Sequence, residues 1–182
     1  MVQSERFRLY GTLRNVSSVR LTTTSYVVLG LVEMCEPVTP YELKQIAEMS
    51  TANFWTVAHT QLYSECARLA REGLLDEEQE QAGRRRKLYR LTESGRGALE
   101  AWRTEPVAER GEIRDPGALK LALGADPKRL AQAQLAFHER QLGRYLEYRE
   151  LEMSEGMRLA LEAGIGHERE YIRYWRVLAD AD

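Results

Sequence analysis

The chain has 182 residues, 43% hydrophobic and 30% charged, with 26 Lys+Arg against 28 Asp+Glu, which excludes disordered or collagen-like polymers and fits one or two small globular domains. No run reaches the roughly eighteen apolar residues of a membrane span, and the start MVQSERFRLYGTLRN lacks the apolar core of a secretory signal, so a cytoplasmic location without a membrane partner is expected. Cys35 and Cys66 stand far apart without CxxC spacing beside only three histidines; neither a disulfide nor a metal is suggested, no cofactor is expected, and both cysteines read as small buried apolar residues.

Residues 1–20 carry four arginines with little periodic apolar spacing and read as a poorly ordered extension. From Thr22, Tyr26, Leu29, Gly30 and Val32 or Glu33 follow helical spacing, and Val27, Val28 and Leu31 widen the apolar face, so a buried helix is predicted as far as Cys35. Pro37 bars its predecessor from helical geometry. Thr39-Pro40-Tyr41-Glu42 then offers a threonine N-cap, a proline at the first helical position and a glutamate three residues on. This capping box starts a second helix over about 40–49, with Leu43, Ile46 and Ala47 inward. The turn Ser50-Thr51-Ala52-Asn53 leads to a third helix from about Thr56 to Glu72. Its inward stripe is Leu62, Cys66, Leu69 and Ala70, and Gly73 suits a left-handed C-cap. Phe54-Trp55, just ahead of it, read as packing residues.

After Gly73 the period becomes two. Leu74-Leu75 lead an acidic stretch to Gln81, Ala82-Gly83 supplies a turn, and Lys87-Leu88-Tyr89-Arg90-Leu91 alternates basic with apolar, which predicts a β-hairpin with a basic tip. Helix, helix, helix, hairpin is the order of a winged helix-turn-helix, whose third helix reads base edges in the major groove while the hairpin grips the neighbouring backbone. The outward set on the third helix is His59, Thr60, Gln61, Tyr63 and Ser64; Gln61 can bond an adenine edge twice, and Thr60 and Tyr63 suit phosphate or a thymine methyl. Arg84, Arg85, Arg86 and Lys87 at the tip, with Lys44 on the second helix, are candidate contacts to the phosphates of double-stranded DNA, against the plainer reading of a solvated charged turn. The run Asp76-Glu77-Glu78 is expected to face solvent.

Thr92 caps a fourth helix containing Ala98, Leu99 and Trp102, which closes before Pro106, and residues 106–114 read as a linker. Asp115-Pro116 starts a short helix over Leu119, Leu121 and Leu123. Asp126-Pro127 starts a long one reaching about Met153, with Leu130, Phe137, Leu142, Tyr145 and Leu151 along one side. Its partner at 156–179 carries Leu161, Ile165, Ile172, Trp175 and Ala179, with Gly156 helping the reversal. Two long helices with so little else to pack on predict a second subunit as cover, hence a homodimer. Glu147 with Arg144, and Glu168 with Arg169, read as surface charges. Trp55, Trp102 and Trp175 invite an aromatic-ligand pocket, Trp102 and Trp175 foremost, against a core role for each. No GxSxG, glycine-rich phosphate loop or HExxH is present, which argues against an enzyme.

The expected fold class is mainly α with a small β-hairpin: an extension at 1–20, a winged helix-turn-helix DNA-binding domain at 21–105, a linker at 106–114 and an antiparallel helical dimerisation domain at 115–182. The alternative is a winged-helix module that binds a protein through its C-terminal helices with little DNA binding.

The stretches VVLGLVEMCEPVTPYELKQ, FWTVAHTQLYSECARLAREGLL and GRRRKLYRLTESGRGAL, then IRDPGALKLALGAD and HEREYIRYW, are together similar to the PadR family of transcriptional regulators over roughly 22–179. LYxxxxRLxxEGLL is the most specific portion. The resemblance implies a dimeric DNA-binding regulator, usually a repressor, joined through its C-terminal helices and released from DNA in some members by a small aromatic molecule. Ala58-His59-Thr60 stands where many relatives carry serine, so the reading of particular bases does not carry over.

Overall fold

A computed structural model of the chain describes residues 19–51, 54–81, 85–108, 111 and 114–181. Positions 1–18 of the expected extension, and Arg84, lie outside the described residues. The elements run α1 (Thr23–Cys35), α2 (Pro40–Met49), α3 (His59–Arg71), β1 (Leu75–Gln79), β2 (Lys87–Leu91), α4 (Glu93–Thr104), α5 (Pro116–Ala122), α6 (Pro127–Arg149) and α7 (Glu155–Ala179). The chain divides into two compact units near Val107.

The first unit closes around Val28, Leu29, Val32, Leu43, Leu62, Cys66, Leu69, Leu74 and Leu99, all buried, with Val19 and Leu21 packed against them. Val19 therefore belongs to the fold rather than to an extension ending at residue 20. Local chemistry sets the helix ends. Thr39 accepts from Glu42 N while Glu42 accepts from Thr39 N at 2.8 Å, and Pro40 takes the first helical position. Gly73 sits at φ 76° just beyond α3, a left-handed residue that lets Leu74 N–H reach Leu69 O at 2.9 Å.

β1 and β2 pair antiparallel with Leu75 opposite Leu91 and Gln79 opposite Lys87, and Val38 exchanges two backbone bonds with Tyr89, which pins the hairpin to the α1–α2 connection. Its root is tight. A Cβ on Gly95 of α4 would lie 2.1 Å from the Leu74 carbonyl oxygen, so only glycine permits this approach. One expectation changes in this unit. Cys35, at the last turn of α1, is exposed while Cys66 is buried, because the apolar face of α1 narrows after Val32. β1 buries only Leu75, leaving Asp76, Glu77 and Glu78 exposed.

In the second unit α6 and α7 lie antiparallel, with Lys128 meeting Ala181 O just past the end of α7, His138 meeting Glu168 and Tyr145 packed on Gly164. Asp115, Asp126 and Ser154 cap α5, α6 and α7. The reversal occupies residues 150–154 and Gly156 lies within α7, so α6 stops at Arg149, short of Met153, leaving Leu151 exposed. The buried stripe of α6 is Ala131, His138, Gln141 and Tyr145, not the predicted leucine and phenylalanine row; Phe137 is 50% exposed. Leu119 and Leu123, expected beneath the short helix, are also exposed.

Candidate nucleic-acid interface

The polar face of α3 stands opposite its buried stripe. Leu62, Cys66 and Leu69 point into the core, leaving His59, Thr60, Gln61, Tyr63 and Ser64 exposed at the N-terminal half of the helix. The helix begins at His59 rather than Thr56, with Ala58 extended as its cap residue. Alanine offers no side-chain acceptor to the first turn, while Gln61 Oε1 accepts from Ala58 N at 3.3 Å and Ser64 Oγ donates to Gln61 O at 3.1 Å. The His59 imidazole lies edge-on to the Tyr63 ring with centroids 4.7 Å apart.

Phe54 and Trp55, read as packing residues, are 65% and 45% exposed. Trp55 edges a cleft of about 170 Å³ that Lys44, Val57, His59 and Leu62 also line. Lys44 pairs with Glu48 at 3.5 Å, one helical turn along.

At the hairpin tip the described cations differ in their partners. Arg85, at φ 50°, has an exposed side chain with no ion pair to a described residue. Arg86 forms a fork on Glu80, with Nη2 to Oε1 at 2.7 Å and Nε to Oε2 at 3.1 Å, and backbone bonding between Glu80 N and Arg86 O at 3.0 Å fixes the two strands there. Lys87 Nζ lies 2.7 Å from Glu77, whose carboxylate also accepts from Tyr89 OH at 2.7 Å. The hydrogen bond from Arg86 holds the Glu80 carboxyl below the usual carboxylate range, and those from Lys87 and Tyr89 do the same for Glu77. The acidic strand thus faces the basic one as well as solvent. Nothing local in the sequence marks Glu77 and Glu80 as site residues, although continuing the Leu75–Leu91 register brings Glu80 beside Arg86.

Trp102 stacks on Tyr26, centroids 4.8 Å apart and planes 8° off parallel. Trp175 is buried in the second unit, where its ring packs so closely on Gly117 that a Cβ there would come within 2.9 Å of it. Of the proposed dimerisation residues, Tyr145, Ile165, Ile172 and Trp175 are buried within their own unit, Leu130, Leu142 and Leu161 are half-buried, and Phe137 is exposed. Glu168, expected at the surface, is 7% exposed and lies 2.6 Å from His138 Nδ1, itself 7% exposed. A groove of about 470 Å³ runs beside α7, with Leu142, Ile172 and Val177 as its apolar part and Arg169, Arg173 and Arg176 as its basic part. Among the described residues no helix is long and apolar enough to cross a membrane, and no group of histidine, cysteine and carboxylate side chains could hold a metal ion.

Comparison with known proteins gives a family model, the transcriptional regulator PadR-like family, over residues 28–101. The negative transcriptional regulator PadR of Bacillus subtilis (strain 168) is 30% identical over 99 residues, covering 52% of this chain and 53% of that protein, so the chain spans about half the length of this curated relative. Among solved structures, Bacillus subtilis PadR in complex with operator DNA superposes with a TM-score of 0.78 at 24% identity, covering 88% of this chain and all of that one. The same regulator with p-coumaric acid gives a TM-score of 0.70 at 24% identity, over 87% of this chain and 96% of the other. These structures share the mainly helical winged fold with its two-stranded hairpin.

Proposed function

We propose that the chain, whose residues 28–101 match the transcriptional regulator PadR-like family, is a dimeric regulator of that kind binding double-stranded DNA, a repressor that recognises an inverted repeat. The observation carrying this reading is that one compact unit bears both an exposed polar helix face, His59 to Ser64, and a hairpin tip with exposed Arg85, Arg86 and Lys87. An α-helix fits the major groove, and base edges are read there by side chains of the glutamine and threonine type. Gln61 keeps its amide NH₂ for a base after its oxygen has capped Ala58 N. Tyr63 and His59 present a joined aromatic surface to thymine methyls or sugars. Phosphate neutralisation at the wing, with Lys44 on α2, supplies the sequence-independent affinity.

Dimerisation is assigned to the second unit. Leu119, Leu123, Phe137, Leu159 and Val177 are all exposed, more apolar surface than two helices shed by themselves, and a second copy gives it cover. Two copies place two recognition helices on successive major grooves. A change of angle between the long helices alters that spacing and shifts the population away from the form that engages both half-sites. The p-coumaric acid complex of the Bacillus subtilis regulator supports a small aromatic effector here, with Trp102 and Trp175 as residues to test. Such a regulator acts in the cytoplasm.

The test is a titration of the full chain into a labelled duplex from its own upstream region at two salt concentrations, beside a variant with Arg85, Arg86 and Lys87 all changed to alanine. Salt-sensitive binding that the variant loses is expected. With six wing cations in a dimer, the slope of log K against log salt falls by up to about 5, at about 0.9 per phosphate. Equal behaviour of wild type and variant would contradict the reading.

A further inference from the structure

The hairpin carries its own anions opposite its cations, and their placement is not that of a solvated acidic run. Glu80 makes a two-pronged contact with Arg86 and also lies 3.4 Å from Arg86 N. Glu77 meets Lys87 at 2.7 Å and is oriented by the Tyr89 hydroxyl. Both pairs remain accessible: the side chains of Arg86 and Lys87 are about half exposed, those of Glu80 and Glu77 roughly a quarter. Glu78 differs. It stands opposite Leu88, on the other face of the ladder from Glu77, and forms no ion pair with a described residue.

We propose that Glu77 and Glu80 are built-in competitors of DNA phosphate, occupying Arg86 and Lys87 in the free protein and so holding down the sequence-independent part of DNA affinity. This rests on the DNA-binding reading above. The two-pronged carboxylate on Arg86 has the geometry in which a guanidinium takes two phosphate oxygens, so contact with the backbone is an exchange of one anion for another. Exposed pairs of this kind are weak enough to exchange, yet each must open before its cation can neutralise a phosphate. Arg85, without such a partner, is left to make the first contact. A regulator that must find one site among a large excess of non-specific DNA gains from this damping, since non-specific binding is almost wholly electrostatic.

The experiment uses the full chain and its Glu77→Gln, Glu80→Gln, double, and Glu78→Gln variants, each first shown to keep the wild-type thermal midpoint. Affinity is measured for a random-sequence duplex and for the upstream-region duplex at several salt concentrations. Glu77→Gln and Glu80→Gln are expected to tighten random-duplex binding by roughly two- to five-fold each, the range of an exposed ion pair. The double variant should also steepen the salt slope by about 0.9 per freed cation that reaches a phosphate. Glu78→Gln removes the same charge and should stay within a factor of about 1.5 of wild type, as screening of an unpaired surface charge implies. Glu77→Gln and Glu80→Gln behaving like Glu78→Gln, while wild type binds the upstream duplex, would overturn the competitor role and leave the regulator reading intact. Failure of wild type and all variants to bind either duplex would overturn both.

Discussion

The two units bury different things. The first encloses a continuous apolar core from Val28 to Leu99, including side chains such as Leu29, Leu43 and Leu69 with no exposed surface. In the second, the seam between α6 and α7 includes His138, Gln141 and Glu168, while Leu119, Phe137, Leu159 and Val177 face outward. A unit that buries an ionisable pair and exposes leucine and phenylalanine is organised around contacts its own chain does not supply. The contrast agrees with the proposal that the first unit is a finished domain and that the second is completed by a second copy.

The sharpest way to break the first unit is at its tightest point. Gly95→Ala places a methyl against the Leu74 carbonyl oxygen, backbone that cannot turn aside, and should destabilise by about 4 kcal/mol or more in chemical denaturation. Gly97, two residues on and open to solvent, provides the control: Gly97→Ala should stabilise by about 0.5–1 kcal/mol through helix propensity.

In the second unit, His138→Leu strands the buried Glu168 carboxylate and should cost about 3–5 kcal/mol, whereas the double variant His138→Leu with Glu168→Met should recover most of it. A single variant no worse than the double would show that the pair is not shielded from water, and the contrast between the seams would weaken.

A smaller effect tests the local chemistry of α2. Thr39→Ala should lose about 1 kcal/mol. The Thr39 N–H and hydroxyl hold the Glu42 carboxyl below its usual range, so its stabilisation is present above the unfolded carboxyl value of about 4.3 and fades as pH falls through the lower folded value. Glu42→Gln should therefore be less stable than wild type near neutrality and converge with it in acid. Least perturbing is thiol labelling. Burial pushes the Cys66 thiol up to about 12, so the native protein should react quickly only at exposed Cys35, and at both once unfolded.

What could be read from the residues was mostly local. The Thr39-to-Glu42 box, the Thr92 cap, the Asp-Pro starts at 115 and 126 and the Gly73 stop each depend on neighbours within a few positions, and all lie where spacing put them. The Leu62, Cys66, Leu69 stripe was legible for the same reason, which fixed the opposite face with His59, Gln61 and Tyr63. What escaped depends on partners distant in sequence. Glu168 looks like a surface charge beside Arg169 and becomes a buried one only because His138, thirty positions away, arrives opposite it. Arg86 and Lys87 look like free cations until strand register sets Glu80 and Glu77 against them. Phe54 and Trp55 have the composition of core residues, yet both are exposed.

The most direct test of the account is the mass of the complex formed by the full chain with a duplex from its own upstream region, measured by light scattering in solution. Two chains per duplex, persisting when the duplex is in excess, is the result the proposed dimer predicts, each copy contributing one recognition helix. One chain per duplex, or no complex at all, would contradict it.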